Sequence, residues 1–382
     1  MKRSVSNCWP TPVQELMLRA ALLKGEGSIK DWKAWTKIVE FNDIDHGSQR
    51  LLPLLYRNLL DQGIQSPLMA RYKGVYRRFW SSNQFLFNRT KSVLIALQEA
   101  GIDPLLFKGV GLVISCNLNF ALRPMDDIDL LVPEETAQTA INIIREMGWA
   151  PKFGGVGEKD PIIHAVTYRD GKGHAVDLHW HSLSNVGPGK YEQEYWNRSF
   201  NGLINDAPVE VMGITDQLIH TVVHGIRWNA IPPIRWIADA IILLTNSERS
   251  IDWDHLIKLS GILHVTIPMY EGLSYLKKEF NASVPVYVLQ SLKRFPVSRR
   301  EKRNYQLNKK KPIPVFGQFI LKIGKYLTYY QGKYPFPGFP RYLQDTWGLK
   351  NLWQIPFDGV FRMWRRIRID LFKQKFEDVY ID

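Results

Sequence analysis

The sequence predicts an α+β protein in which a small mixed-sheet core is flanked by N-terminal and C-terminal helical domains. Apolar residues recur at three and four spacing from Thr11 to about Ala100 and again after Gly213, the period of helices packed on one face. Between these stretches the period shortens to that of strands. There, two short apolar runs, 162–170 and 174–181, flank Gly171, Lys172 and Gly173, the spacing of a hairpin.

A chain of 382 residues exceeds what one core ordinarily supports. The composition shifts divide it into a helical domain (1–100), an α/β core (101–212), a second helical domain (213–290) and a basic, aromatic-rich extension (291–382). With 45% hydrophobic and 23% charged residues it is globular and not disordered. The net charge is +13, and residues 291–382 carry 20 basic and 7 acidic side chains, so the first 290 residues are neutral. A polyanion-binding role therefore cannot be assumed for the core. Cys8 and Cys116 are too few for a disulfide framework or a thiolate zinc site, which fits a reducing compartment. The N-terminal MKRSVSNCWPTP lacks the apolar run of a signal peptide, and stretches such as 105–122 and 236–244 are interrupted or too short to span a bilayer. The expected location is cytoplasmic, with peripheral association at the inner face of the membrane left open by the tail.

Taken in order, VQELMLRAALL, IKDWKAWTKIVEF, QRLLPLLYRNLLDQG and a long stretch from Pro67 through VLIALQEAG predict about four helices, with Gly63 and Gly101 as stops. From Asp103 come a short strand PLLF, a turn at Lys108 and Gly109, and a helix through Ser115. DIDLLV (127–132) predicts a strand, and 133–148 a helix with an acidic first turn and Gly148 at its end. After the hairpin, Thr215 can cap DQLIHTVVHGI, followed by IRWIADAIILLT and a helix beginning near Asp252. Beyond Ser291, SRREKRNYQLNKKKPIP predicts a basic linker, then an aromatic-rich stretch and a final basic helix.

The segment RPMDDIDLLV carries the chemistry. Side chains alternate on a strand, so Asp127 and Asp129 share one face while Ile128 and Leu130 take the other. Two buried carboxylates side by side raise one pKa sharply unless a cation such as Mg²⁺ (or Mn²⁺) takes oxygen ligands from both. Taken alone, the pair reads equally as exposed strand-end residues. Asp177 in HAVDLHWH brings a third carboxylate if its strand lies beside DIDLLV. The turn FKGVG (107–111) joins a strand to a helix: Gly109 lets the backbone approach a phosphate, the helix start offers free N–H groups, and Lys108 adds a point charge. Together these parts describe a triphosphate held with a metal for in-line attack at phosphorus.

The order of KG turn, RPMDDIDLLV strand and VDLHW strand resembles the nucleotidyltransferase superfamily with a DNA polymerase β-like core, and within it a poorly characterised bacterial group of nucleotidyltransferase family proteins. WKAWTKIVEF and RLLPLLYRNL are similar to that group's N-terminal helices, and HTVVHGIRW, IRWIADAIILL and IDWDHL to its C-terminal ones. The resemblance covers roughly residues 10 to 290. It implies that Asp127 and Asp129 bind catalytic metal ions, that Asp177 is a metal ligand or the base that orients the acceptor, and that Lys108 and Gly109 cradle nucleotide phosphates whose charge Arg123 helps to neutralise. The substrates implied are an NTP, with ATP expected, and an acceptor that the sequence does not name. Many superfamily members carry Gly-Ser or Gly-Gly at the turn; Lys108-Gly109-Val110 departs from them by lacking a hydroxyl for phosphate. A catalytically inactive nucleotide-binding scaffold on a membrane assembly is the alternative.

Other residues carry two readings each. Asp126 competes with Asp127 as a ligand, but alternation puts it on the face opposite Asp129, as a loop residue that at most supports the ligands from behind. His179 and His181 share the face of Asp177 and either orient it, meet substrate or simply form a polar strand edge. His220 and His224, four apart, with Asp216 a turn earlier, have metal-ligand spacing, but the surrounding apolar residues favour hydrogen-bonded helix packing or contact with the nucleotide cleft. Arg235 and Asp239 have ion-pair spacing, although Asp239 could instead face the cleft. In the tail, Arg362, Arg365, Arg366 and Arg368 interleave with Val360, Phe361, Trp364 and Ile367. That pattern suits an anionic membrane surface, an RNA or other polyanion held together with Lys309, Lys310 and Lys311, or plain packing on the core with solvated charges.

Overall fold

The computed structural model describes residues 8–152, 164–183, 191–227, 232–246 and 249–309, and in the C-terminal segment 323–324, 326–327, 338–361 and 364. Two compact units emerge: residues 1–155 with 164–311, and residues 156–163 with 312–382.

The first unit begins with helices α1 (Pro12–Leu22), α2 (Glu26–Ile38), the single turn α3 (His46–Gln49), α4 (Leu52–Asp61) and α5 (Leu68–Glu99). Thr11 starts α1 through a capping box: its side chain accepts from the Gln14 N–H, and the Gln14 side chain accepts from the Thr11 N–H. The α/β segment follows as β1 (Leu105–Phe107), α6 (Lys108–Ser115), β2 (Asp127–Leu131), α7 (Ala137–Glu146), β3 (Ala150–Pro151), β4 (Ala165–Arg169), β5 (Ala175–His179), the short α8 (Gln193–Asn197), β6 (Phe200–Ile204) and β7 (Ala207–Val211). Six further helices close this unit: α9 (Ile214–Gly225), α10 (Arg235–Asn246), α11 (Trp253–Ile262), α12 (Thr266–Phe280), α13 (Val286–Arg294) and α14 (Arg299–Lys309), the last a helix where the sequence predicts a basic linker.

The seven strands form one mixed sheet in the order β3-β4-β5-β2-β1-β7-β6. β2 and β5 pair in parallel, with Asp129 opposite Asp177; β1 runs antiparallel to β2, with Phe107 opposite Asp129. The expected hairpin is present as β4 and β5, antiparallel, with Thr167 opposite Asp177. Ile128 and Leu130 are buried on the side of β2 opposite the aspartates, the alternation expected of this strand.

The sheet gains a second hairpin, β6–β7, that no pattern in the sequence marks. Its two-residue turn, Asn205-Asp206, takes positive φ at both positions (42° and 65°), the conformation that a tight hairpin requires. No glycine marks that turn, and Pro208 interrupts the apolar pattern of the second strand.

Helices from both ends of this unit share one hydrophobic cluster. Trp9 packs edge-on against Trp236 at 5.9 Å between ring centroids and lies 4.8 Å from Tyr275, joining the N-terminal segment to α10 and α12. The same cluster reaches Phe107 and Leu131 of the sheet. Both cysteines are buried and neither forms a disulfide. Among the described residues no helix is long and apolar enough to cross a membrane. The second unit holds helix α15 (Gly338–Trp347) and a helical stretch over 354–361.

Candidate active site

The register of three strands assembles the site. Parallel pairing of β2 with β5 sets Asp129 beside Asp177, and alternation along β5 puts His179 on the same face. Asp127 is two residues before Asp129 and faces the same way. Thr167 on β4 donates its hydroxyl to Asp177 Oδ1 at 2.9 Å. His179 Nε2 lies 3.1 Å from Asp129 Oδ1 and 3.0 Å from Asp177 Oδ2, so one imidazole bridges the two carboxylates. Below it, the Phe107 ring meets the His179 ring edge-on at 4.9 Å and fixes its plane.

Lys108 enters from the turn after β1. Its backbone takes φ 52°, so the left-handed position of this turn is occupied by lysine and not by the glycine that follows. That conformation carries the ammonium into the carboxylate cluster: Nζ lies 2.5 Å from Asp129 Oδ1, 4.0 Å from Asp177 Oδ2 and 3.3 Å from His179 Nε2. Gly109 serves close packing. A Cβ there would lie 2.9 Å from Met125 Sδ and 3.0 Å from Arg123 Nη1. The glycine therefore lets the loop before β2 settle on the start of α6.

The electrostatics follow from this crowding. Burial, and then the charges of Asp129 and Asp177, push the Asp127 carboxyl up to about 6. Burial works the same way on Asp129 and Asp177 but is outweighed. The Lys108 ammonium and the His179 imidazole hold Asp129 below its ordinary value, and His179, Lys108 and the Thr167 hydroxyl do so for Asp177. For His179, burial and Lys108 oppose protonation, yet the two carboxylates win and raise its pKa. The cluster thus holds three carboxyl groups against one lysine and one histidine, with Asp127 the group left short of positive charge.

The loop preceding β2 is clamped by groups from distant parts of the chain. Asn83 of α5 donates to the Phe120 and Arg123 carbonyls at 2.6 and 2.9 Å. The Pro124 carbonyl accepts from Arg50, Arg123 and Arg235 at 3.1, 3.1 and 3.3 Å. Three guanidinium groups therefore converge beside the aspartate strand. Asp126 is an exposed loop residue, as expected from alternation, and pairs with Arg50 at 3.1 Å. Arg50 and Asn83 were not identified in the sequence, where each is one polar residue on an amphipathic helical segment with no local motif.

Several expected groupings are rearranged. Asp239 pairs with Arg123 at 2.8 Å, not with Arg235, whose guanidinium is turned to the Pro124 and Arg50 carbonyls. Helical i, i+4 spacing allowed the Arg235–Asp239 pair, but the carbonyls of a neighbouring loop are better placed for Arg235. His181 lies past the end of β5, where the strand alternation ends, and pairs with Glu192 at 2.8 Å in place of Asp177. His220 Nε2 binds the Ser182 carbonyl at 3.0 Å, and its ring stacks on His224 at 5.5 Å and meets Phe107 edge-on. Asp216 pairs with His255 at 2.8 Å and not with His220. Among the described residues, Asp129, Asp177 and His179 form the one group of three whose ligand atoms lie within 4.8 Å of one another, while His220 and His224 make the packing and hydrogen-bond contacts just given.

A mixed sheet that presents an Asp-x-Asp strand in parallel with a third carboxylate, beside a lysine turn and converging arginines, has the form that the sequence resemblance implies for nucleotidyltransferases. The family model described as "Uncharacterised nucleotidyltransferase" matches residues 46–281, more than half of the chain, and the protein belongs to that family; it is a nucleotidyltransferase. Among solved structures, the lincomycin-bound lincosamide antibiotic adenylyltransferase LnuA is similar at 13% identity and TM-score 0.32, over 41% of this chain and 94% of that one. ANT(2")-Ia in complex with adenylyl-2"-tobramycin is similar at 15% identity and TM-score 0.29, over 42% and 87%. Comparison with curated proteins finds no match.

Proposed function

We propose that the protein transfers a nucleoside monophosphate from an NTP, with ATP expected, to an acceptor nucleophile in a divalent-metal-dependent reaction that releases pyrophosphate. One observation carries the metal requirement: a cationic group, the Lys108 ammonium, already stands between the carboxylates of Asp129 and Asp177. The donors fit a hard divalent ion. Two carboxylates lie within 4.8 Å of each other, and Asp127 adds a third that forms no close ion pair among the described residues, where the field of Lys108 does not offset burial and the neighbouring aspartates. Mg²⁺ or Mn²⁺ bound there would neutralise phosphate charge and orient the attacking and leaving oxygens.

The chain's own residues do the remaining work. His179 and Thr167 hold the carboxylates in fixed orientation, which costs no reorganisation when charge develops. Displaced from Asp129, Lys108 is placed to meet a phosphate oxygen, and Arg123, Arg50 and Arg235 lie near enough to the loop to add positive potential. Asp177, held ionised, suits metal ligation or orientation of the acceptor, while Asp127 has the higher proton affinity.

A second reading rests on the same lysine: a site already neutralised by Lys108 could bind nucleotide without turnover. Incubating the protein with each NTP labelled at the α-phosphate and with cell extract, then separating protein, RNA and small-molecule fractions, decides between them. Transfer predicts label in one fraction, abolished by EDTA and by Asp127→Ala with Asp129→Ala. Label in no fraction, with NTP binding retained by calorimetry, would establish the inactive reading. Full labelling by the double variant would show that these carboxylates are not the site.

A further inference from the structure

The second unit contains a helical stretch with apolar groups on both of its sides. Its inner side is packed: Tyr342 and Leu343 of α15 are buried with Ile355 against them, and a Cβ on Gly359 would meet the Trp347 ring at 3.6 Å. Ile355 and Gly359, four residues apart, define the packed side of the stretch 354–361. The other side carries Trp353, Phe357, Val360 and Phe361, which are 66%, 71%, 61% and 58% exposed. Spacings of three and four residues align Val360 and Phe361 with Phe357 along one helix face, and Trp353, in the turn just before the helix, extends that face through its ring contact with Phe357 at 6.2 Å between centroids. They display on the order of 500 Å² of apolar surface, about the size of the largest such patch on a typical soluble monomer.

Charge identifies what this face meets. Residues 291–382 hold the whole net positive charge of the chain, and 361–376 alone contains six basic residues and one acidic. Aromatic side chains on one face of a helix, followed directly by arginines, match the interfacial layer of an anionic bilayer, where rings sit among acyl carbons and cations meet phosphates. An RNA surface would also take the positive charge, but an aliphatic side chain, Val360, shares the face with the rings, which acyl carbons accommodate and base stacking does not use. We propose that Trp353, Phe357, Val360 and Phe361 form a docking face for an anionic phospholipid surface. The run Arg362, Arg365, Arg366 and Arg368 supplies positive charge next to it in the sequence. The proposal is independent of the catalytic reading, since none of these residues belongs to the carboxylate site.

Co-sedimentation of the full chain with vesicles tests it. Binding is expected to phosphatidylglycerol-containing vesicles and not to pure phosphatidylcholine, weakened by salt as surface charges are screened. Trp353→Gln with Phe357→Gln should lower the partition coefficient by roughly 10-fold or more while circular dichroism and Tm stay unchanged. Failure of the wild type to sediment with anionic vesicles, equal binding by the double variant, or a gel shift of RNA without vesicle binding would each overturn the proposal. Should the double variant misfold, hydrogen exchange on the wild type replaces it. Protection of residues 350–361 on adding anionic vesicles is then expected, and unchanged exchange there would contradict the docking face.

Discussion

Asp127 is the residue at which the free protein bears an uncompensated cost. Its carboxyl titrates near 6 in the folded chain against 3.8 for the ordinary group, because burial and two neighbouring aspartates disfavour its charge. A raised acid pKa means the folded state holds the proton more tightly. The penalty is absent below about pH 4, grows as pH rises toward 6 and is full above it. Asp127→Asn should therefore stabilise the metal-free protein by up to about 3 kcal/mol at pH 8, with the gain vanishing below about pH 4. Urea denaturation in EDTA across this range checks the sign, and excess Mg²⁺ should cancel the advantage. Lys108 makes the converse case. Lys108→Met leaves Asp129 buried without its nearest cation and should cost about 3 kcal/mol in EDTA. The same change removes a competitor for the carboxylates, so Mn²⁺ affinity, read by electron paramagnetic resonance, should rise. Unchanged Mn²⁺ affinity would mean that Lys108 does not stand in the cation's place. The aspartates were legible in the sequence because strand alternation puts them on one face. The position of Lys108 was not, since it depends on a left-handed backbone at a lysine that is followed by glycine.

At the scale of elements, the site is a consequence of strand register, and the register of β2 and β5 is set by burial. Ile128, Leu130, Val176 and Leu178 are almost fully buried on the other side of the sheet, so a shift of one residue would exchange them with Asp127, Asp129, Asp177 and His179. Period and glycine placement made these strands readable. The β6–β7 hairpin was not, because an Asn-Asp turn with a proline nearby carries no strong pattern, and its pairing with β1 joins residues about a hundred positions apart. The same limit applies to the loop before β2. Asn83, Arg50 and Arg235 reach it from three helical segments, and local spacing contains no information about such meetings. Helix packing yields a sharper prediction. Gly225 closes α9 against α10, where a Cβ would sit 2.0 Å from Trp236 Cγ. Gly225→Ala should thus destabilise the unit by about 3 kcal/mol or more, measured as a drop in the urea midpoint with unchanged slope. A neutral result would show that α10 can withdraw from α9 without loss.

At the scale of the molecule, function and charge are separated along the chain. The carboxylate site is built from residues 107–179, the family match ends at residue 281, and the net positive charge begins after residue 290. A net charge of +13 would otherwise invite a nucleic-acid reading for the whole chain; the site needs only the local cations Lys108, Arg50, Arg123 and Arg235. The Lys309 to Lys311 run and the Arg362 to Arg368 cluster lie largely outside the described residues, and the aromatic face at 353–361 is what gives the extension its own chemistry. Nucleotidyl transfer at Asp127, Asp129 and Asp177, as proposed, makes the reaction depend on each carboxylate. Pyrophosphate release from NTP, followed in the presence of the acceptor-bearing extract fraction for the wild type, Asp129→Asn and Asp177→Asn, tests it most directly. Metal-dependent release by the wild type and a loss of at least about 100-fold in each folded variant are expected. Release at the wild-type rate from either variant, or from the wild type in EDTA, would contradict it.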